Sequence, residues 1–151
     1  MNEIYTSYYG KAQKLDPKEY TFLQISNSKP SWWNMPLNKI DELIPSWSLV
    51  SDYKAGKVTE EEYKKIYLRE LSKKTYKLDL LMEKIKKQLT AKNVVLLCFE
   101  KEGFCHRHIA GDYLNERYGL KIYEFGTERK IDNKEEINQP IQYEQLSFFD
   151  R

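Results

Sequence analysis

The sequence predicts an α/β fold: a single three-layer domain with a mostly parallel sheet and helices on both faces. Three observations lead there. Short runs rich in β-branched and aromatic residues, at Ile4–Tyr9, Tyr20–Ser26 and Val94–Phe99, read as strands. Longer segments carry apolar residues at helical spacing. One strand–helix–strand unit, from Val94 to Phe125, implies a parallel pair joined by a right-handed crossover. With 151 residues, the chain has room for one domain with a substantial core.

Each element has a local reason. The first two strands are separated by the breakers Gly10 and Asp16-Pro17. The stretch Lys29-Pro30-Ser31-Trp32-Trp33-Asn34-Met35-Pro36 is neither regular helix nor central strand, because its prolines withhold backbone donors. A short helical turn is expected from Leu37 to Leu43, stopped by Pro45. Thr59-Glu60-Glu61-Glu62 is a capping box that opens a helix running to about Lys73, with Tyr63, Ile66, Tyr67 and Leu71 on one face. A second helix is expected from about Lys77 to Leu89, with Leu78, Leu81, Ile85 and Leu89 aligned. After the strand at Val94 comes a third helix that ends near Tyr118. Gly119 suits its C-cap, and Leu120–Phe125 reads as the next strand. From Thr127 to Gln139 the chain is polar and reads as a linker to a closing Gln145-Leu146-Ser147-Phe148-Phe149-Asp150-Arg151. The expected organisation is therefore a domain over 1–126 and a linker with a terminal peptide over 127–151.

Composition narrows the function. The chain is 40% hydrophobic and 32% charged, the balance of a soluble globular protein. A formal charge of +2 is too small to drive nucleic-acid binding by bulk electrostatics alone. Two cysteines are too few for a secreted disulfide scaffold, so a reducing cytoplasm is expected. No apolar N-terminal targeting segment is seen, and the longest apolar run, Val94–Phe99, is too short to span a bilayer, so no membrane partner is expected.

Both cysteines and both histidines fall within the eleven positions from Cys98 to His108, where a strand ends and a helix begins. In α/β proteins, ligands and catalysis gather at the carboxyl ends of strands. Three interpretations compete. One is a plain strand-to-helix turn with Cys98 buried as a small hydrophobe. A second is a metal site, but the cysteines and histidines lack the common ligand spacings, and adjacent Cys105 and His106 would diverge at a helix start. No metal and no cofactor are expected on that account. The favoured third is an anion-binding or thiol-dependent active site. There the helix N-terminus and Arg107 hold a phosphate or carboxylate. The same positive surroundings favour a thiolate. Cys98 is the expected nucleophile, with Cys105 as resolving thiol or substrate contact. His106 or His108 would move protons, and Glu100 would orient one of them. Thr6, Ser7 and Ser26 would bring hydroxyls to the same crevice if their strands lie parallel beside Val94–Cys98. Trp32, Trp33 and Trp47 offer stacking surfaces, although core packing is the commoner use of tryptophan.

These residues carry a resemblance. Ile4-Tyr5-Thr6-Ser7-Tyr8, Ile25-Ser26, Pro30-x-Trp32-Trp33 and Leu43-Ile44-Pro45-x-Trp47 match in order. The strongest pieces are Leu97-Cys98-Phe99-Glu100-Lys101 and Phe104-Cys105-His106-Arg107-His108-Ile109. Together they resemble domain-of-unknown-function family 488, small α/β proteins, over roughly Ile4 to Phe125. The resemblance implies the fold and a site at this turn, and it implies no particular reaction.

The terminal Gln145-Leu146-Ser147-Phe148-Phe149 resembles the short peptide by which bacterial replication and repair proteins grip the sliding clamp, with Phe148 in place of the usual Leu. Gln145 would fix register by hydrogen bonds while Leu146, Phe148 and Phe149 fill an apolar pocket. The sequence thus points to a protein that binds an anionic nucleotide, nucleic-acid or phosphorylated substrate, as a thiol-dependent enzyme in DNA metabolism. The alternatives are a noncatalytic clamp-associated module and a metal- or redox-sensing domain.

Overall fold

The structure, a computed structural model, describes residues 1–101 and 103–127. Five strands form one sheet: β1 (Ile4–Tyr8), β2 (Tyr20–Gln24), β3 (Asn38–Lys39), β4 (Asn93–Cys98) and β5 (Tyr123–Glu124). Their order is β3-β2-β4-β1-β5 and every pairing is parallel. The α/β fold with a parallel sheet is the one the sequence predicts. The centre of the sheet is β4, where Leu96 lies between Leu23 of β2 and Thr6 of β1. Burial on both faces explains its unbroken Val94-Val95-Leu96-Leu97-Cys98 run, since a parallel strand covered on both sides has no solvent face to alternate with.

The two faces are covered unequally. On one lie α3 (Glu60–Ser72), α4 (Thr75–Leu89) and α5 (His106–Tyr118), whose Tyr67, Leu71, Leu78, Ile85, Ile109 and Leu114 pack with Val94 and Leu96. The other face is covered by a single-turn helix, α1 (Tyr9–Ala12), and by Trp33, which meets Phe22, Val95 and Leu97. The third layer is thin because the β1–β2 connection is short and interrupted by Pro17. The chain leaves β1 toward one face and β4 toward the other. Neighbouring strands with opposite exits create a crevice at their carboxyl ends, the usual ligand position in such sheets.

Several local expectations are corrected. The helical turn expected over Leu37–Leu43 forms only at Asp41–Leu43, as a 3₁₀ turn, and the edge strand β3 precedes it. Backbone pairing with Gln24 wins over local propensity, for Ile40 N–H donates to the Gln24 carbonyl at 2.9 Å. A helix not foreseen, α2 (Trp47–Lys54), starts at Ser46, whose hydroxyl caps Leu49 N–H and donates to Glu70 at 2.6 Å. Its serines and single buried leucine give no clear periodic stripe, which is why sequence pattern misses it. The strand expected over Leu120–Phe125 pairs only at Tyr123–Glu124. By contrast, α3 opens on the Thr59–Glu62 capping box, and α5 ends at Gly119 with φ of 65°, a left-handed conformation that favours glycine. No described helix is long and apolar enough to cross a membrane. The linker expected from residue 127 lies outside the described residues from 128 on, as do the clamp-peptide residues Gln145, Leu146, Phe148 and Phe149.

Candidate functional site

Cys98 ends β4 and Cys105 immediately precedes α5, and their sulfurs are joined as a disulfide. Their Cα atoms are 7.7 Å apart. Both side chains are buried, but they differ in access. Cys105 lines a cleft of about 430 Å³, whereas Cys98 does not line it. The sulfur at the cleft is therefore that of Cys105, where strand position alone favoured Cys98. The extended backbone of Cys105 (φ −151°, ψ 137°) places it outside the helix proper. Its side chain consequently does not diverge from that of His106 as two helical neighbours would. The ligand atoms of Cys98, Cys105 and His106 lie within 4.8 Å of one another.

Arg107 departs most from expectation. Its side chain is 2% exposed, and its fork grips Glu124: Nε donates to Oε1 and Nη2 to Oε2, each at 3.0 Å. Nη1 donates to the Glu100 carbonyl and points at Cys98 Sγ at 3.9 Å, and Nη2 reaches the Lys101 carbonyl at 3.5 Å. Arg107 thus commits its fork to Glu124 and the Glu100 carbonyl, does not line the cleft, and holds the turn beside Cys98. Thr6 joins this arrangement, donating from Oγ1 to Glu124 Oε1 at 2.7 Å, and Tyr8 places its ring 5.8 Å from the guanidinium. His108 Nδ1 lies 3.9 Å from the same carboxylate, which draws it toward Glu124.

His106 is buried with its Nε2 hydrogen-bonded to the Ile25 carbonyl and its ring edge-on to Tyr67, centroids 5.6 Å apart. A carbonyl only accepts, so Nε2 carries the proton and Nδ1 keeps a free lone pair. Burial pushes the imidazole down to about 4, opposed by the Ile25 hydrogen bond, so it is neutral near pH 7. That suits a ligand or hydrogen-bonding role better than the proton transfer expected of it. Tyr67 in turn donates to the Leu43 carbonyl at 2.6 Å, so the ring is held from both sides.

The remaining expected residues separate. Ser26 lines the cleft, bonded to Tyr9 Oη at 2.8 Å and to the Ser28 carbonyl at 2.6 Å. Glu100 also lines it, and its charge helps raise the Tyr53 and Tyr63 hydroxyls, chiefly a burial effect. Ser7 shares the register position of Leu97, which belongs to the opposite face, and does not line the cleft. Trp33 is buried on that opposite face, Trp32 is exposed, and Trp47 alone of the three borders the cleft. Sequence reasoning did not find the aromatic wall, where Tyr53, Tyr63 and Phe104 meet with centroids 5.0–5.4 Å apart. It also missed Glu124, although one acidic residue within Ile122-Tyr123-Glu124-Phe125 is a usable signal for a buried partner.

Residues 26–118, which include this turn and every lining residue of the cleft, match DUF488-N3a, described as the active DUF488-N3 subclade. The chain is a member of the DUF488 family. No curated protein and no solved structure matches it. The matched segment of this DUF488 protein contains Cys98, Cys105, His106 and Arg107 and stops before Glu124, the partner that immobilises Arg107.

Proposed function

We propose that this DUF488 protein is a thiol-dependent enzyme that takes a flat, ring-bearing substrate of the nucleotide or nucleic-acid class. The observation that carries this reading is that Cys105, one half of the sulfur pair, forms part of the cleft wall. Tyr53, Tyr63, Phe104 and the exposed Trp47 give the cleft aromatic surfaces on which a base can stack. Lys54 and the N-terminal end of α5 supply positive charge near the same space. The family's description as active agrees with an enzyme. Two small thiols, or one dithiol, open the disulfide in two exchange steps and leave as a disulfide, with their two hydrogens ending on Cys98 and Cys105 as thiols. Cys105, once deprotonated, then supplies the electron pair for a sulfur–carbon bond while the substrate's leaving group departs with its own pair. Arg107 does not touch substrate in this scheme; it holds the Glu100 and Lys101 carbonyls and thereby the turn.

The test is alkylation of the reduced chain with iodoacetamide, read residue by residue by mass spectrometry. Cys105 is expected to react roughly tenfold faster than Cys98. Nucleoside monophosphates should slow that reaction, and Tyr53→Ala should abolish their protection. Equal rates, or no protection by any nucleotide, overturn the reading. Placement in DNA metabolism rests on the terminal peptide: binding to a sliding clamp, abolished by Gln145→Ala with Phe149→Ala, tests it.

A further inference from the structure

We infer that Cys98, Cys105 and His106 form, in the reduced chain, a three-ligand site for a thiophilic divalent cation, with zinc the best match. Two thiolates and one imidazole are a common zinc donor set, and their ligand atoms lie within 4.8 Å of one another. Zinc–sulfur bonds of about 2.3 Å in a tetrahedron put neighbouring ligand atoms about 3.8 Å apart, so once reduction breaks the S–S bond the two sulfurs must separate to seat the ion between them.

The surroundings strengthen the assignment. A metal-bound histidine usually donates its other ring N–H to a carbonyl or carboxylate, which fixes tautomer and orientation. His106 does so through Nε2 to Ile25, leaving Nδ1 as the ligand nitrogen. Arg107 Nη1 approaches Cys98 Sγ at 3.9 Å and is held by Glu124, a second layer of support for an anionic sulfur. All three ligand residues are buried, and two thiolates there without a cation would be costly. Cys105 and His106 both line the cleft, so the fourth position opens to water or substrate, as in catalytic rather than purely structural zinc sites.

The inference concerns the same sulfurs as the proposed thiol chemistry but does not require it. The experiment is a titration of the reduced full chain with Co2+ under anaerobic conditions, followed by displacement with Zn2+. One equivalent of Co2+ should bind with intense thiolate-to-cobalt charge-transfer absorption, and the disulfide form should show none. Cys105→Ser should lower that absorption, and His106→Gln should weaken binding at least roughly tenfold. Absence of the absorption in the reduced wild-type chain, which needs no substitution and so no control for folding, overturns the inference. So does an unchanged absorption in both variants. Fast, nucleotide-protected alkylation without metal binding would overturn the metal site and keep the thiol enzyme. Metal binding with equal cysteine reactivity in the metal-free chain would do the reverse.

Discussion

Removing the carboxylate of Glu124 should be among the most damaging single changes in this protein. The Arg107 side chain is 2% exposed and that of Glu124 12%, so neither charge is well hydrated in the folded state. Glu124→Ala strands the guanidinium without its bidentate partner, at a cost of about 3–5 kcal/mol for a broken buried pair. It also removes the acceptor of Thr6, whose side chain is buried, and the two losses overlap rather than add. We therefore expect a loss of about 4 kcal/mol, or a melting temperature lower by about 12 °C at about 3 °C per kcal/mol for a domain of this size. Urea unfolding followed by circular dichroism measures it. Hydrogen exchange should also quicken around the turn, because Arg107 holds the Glu100 and Lys101 carbonyls. The double variant Arg107→Met with Glu124→Leu should be more stable than Glu124→Ala alone, since no charge is then left buried. A loss below about 1 kcal/mol for Glu124→Ala, or a double variant less stable than Glu124→Ala, refutes the reasoning.

Three further outcomes follow from single features. Burial pushes the Tyr9 hydroxyl up to about 12, so the unfolded chain releases that proton first and stability falls as pH rises from about 10 toward 12. Tyr9→Phe should lose about 1 kcal/mol at neutral pH with its Ser26 hydrogen bond, yet show a shallower alkaline decline than wild type in urea titrations across that window. Thr59→Ala removes the hydroxyl that accepts from Glu62 N–H, leaving the Glu62 carboxylate on the backbone N–H of residue 59, and should cost about 1 kcal/mol, read as a lower urea midpoint with an unchanged slope. Leu71→Ala empties a fully buried position under the sheet and should cost about 2–5 kcal/mol by the same measurement.

Much of the scaffold was legible before any coordinates. The Thr59 box, the Tyr63–Leu71 stripe, Gly119 and the unbroken apolar run of β4 each act through neighbours a few residues away. The turn holding every thiol and imidazole was legible for the same reason. What sequence could not show is which groups those side chains meet. The neighbours of β4 come from distant segments, and β3 forms because Gln24 and Leu23 offer an open edge.

The sequence by itself determined a parallel α/β scaffold and the turn at which its reactive residues gather, because periodicity, caps and strand runs are written in local spacing. Only the tertiary structure decided their roles. Strand order brings Glu124 to Arg107 and turns an expected anion clamp into a locked internal pair, because a buried guanidinium must satisfy its donors with whatever carboxylate the fold supplies. The extended backbone at Cys105 decided that its sulfur, with Cys98 and His106, converges beside an aromatic cleft built from α2, α3 and the turn. That convergence depends on packing between elements far apart in the chain, and no local spacing encodes it.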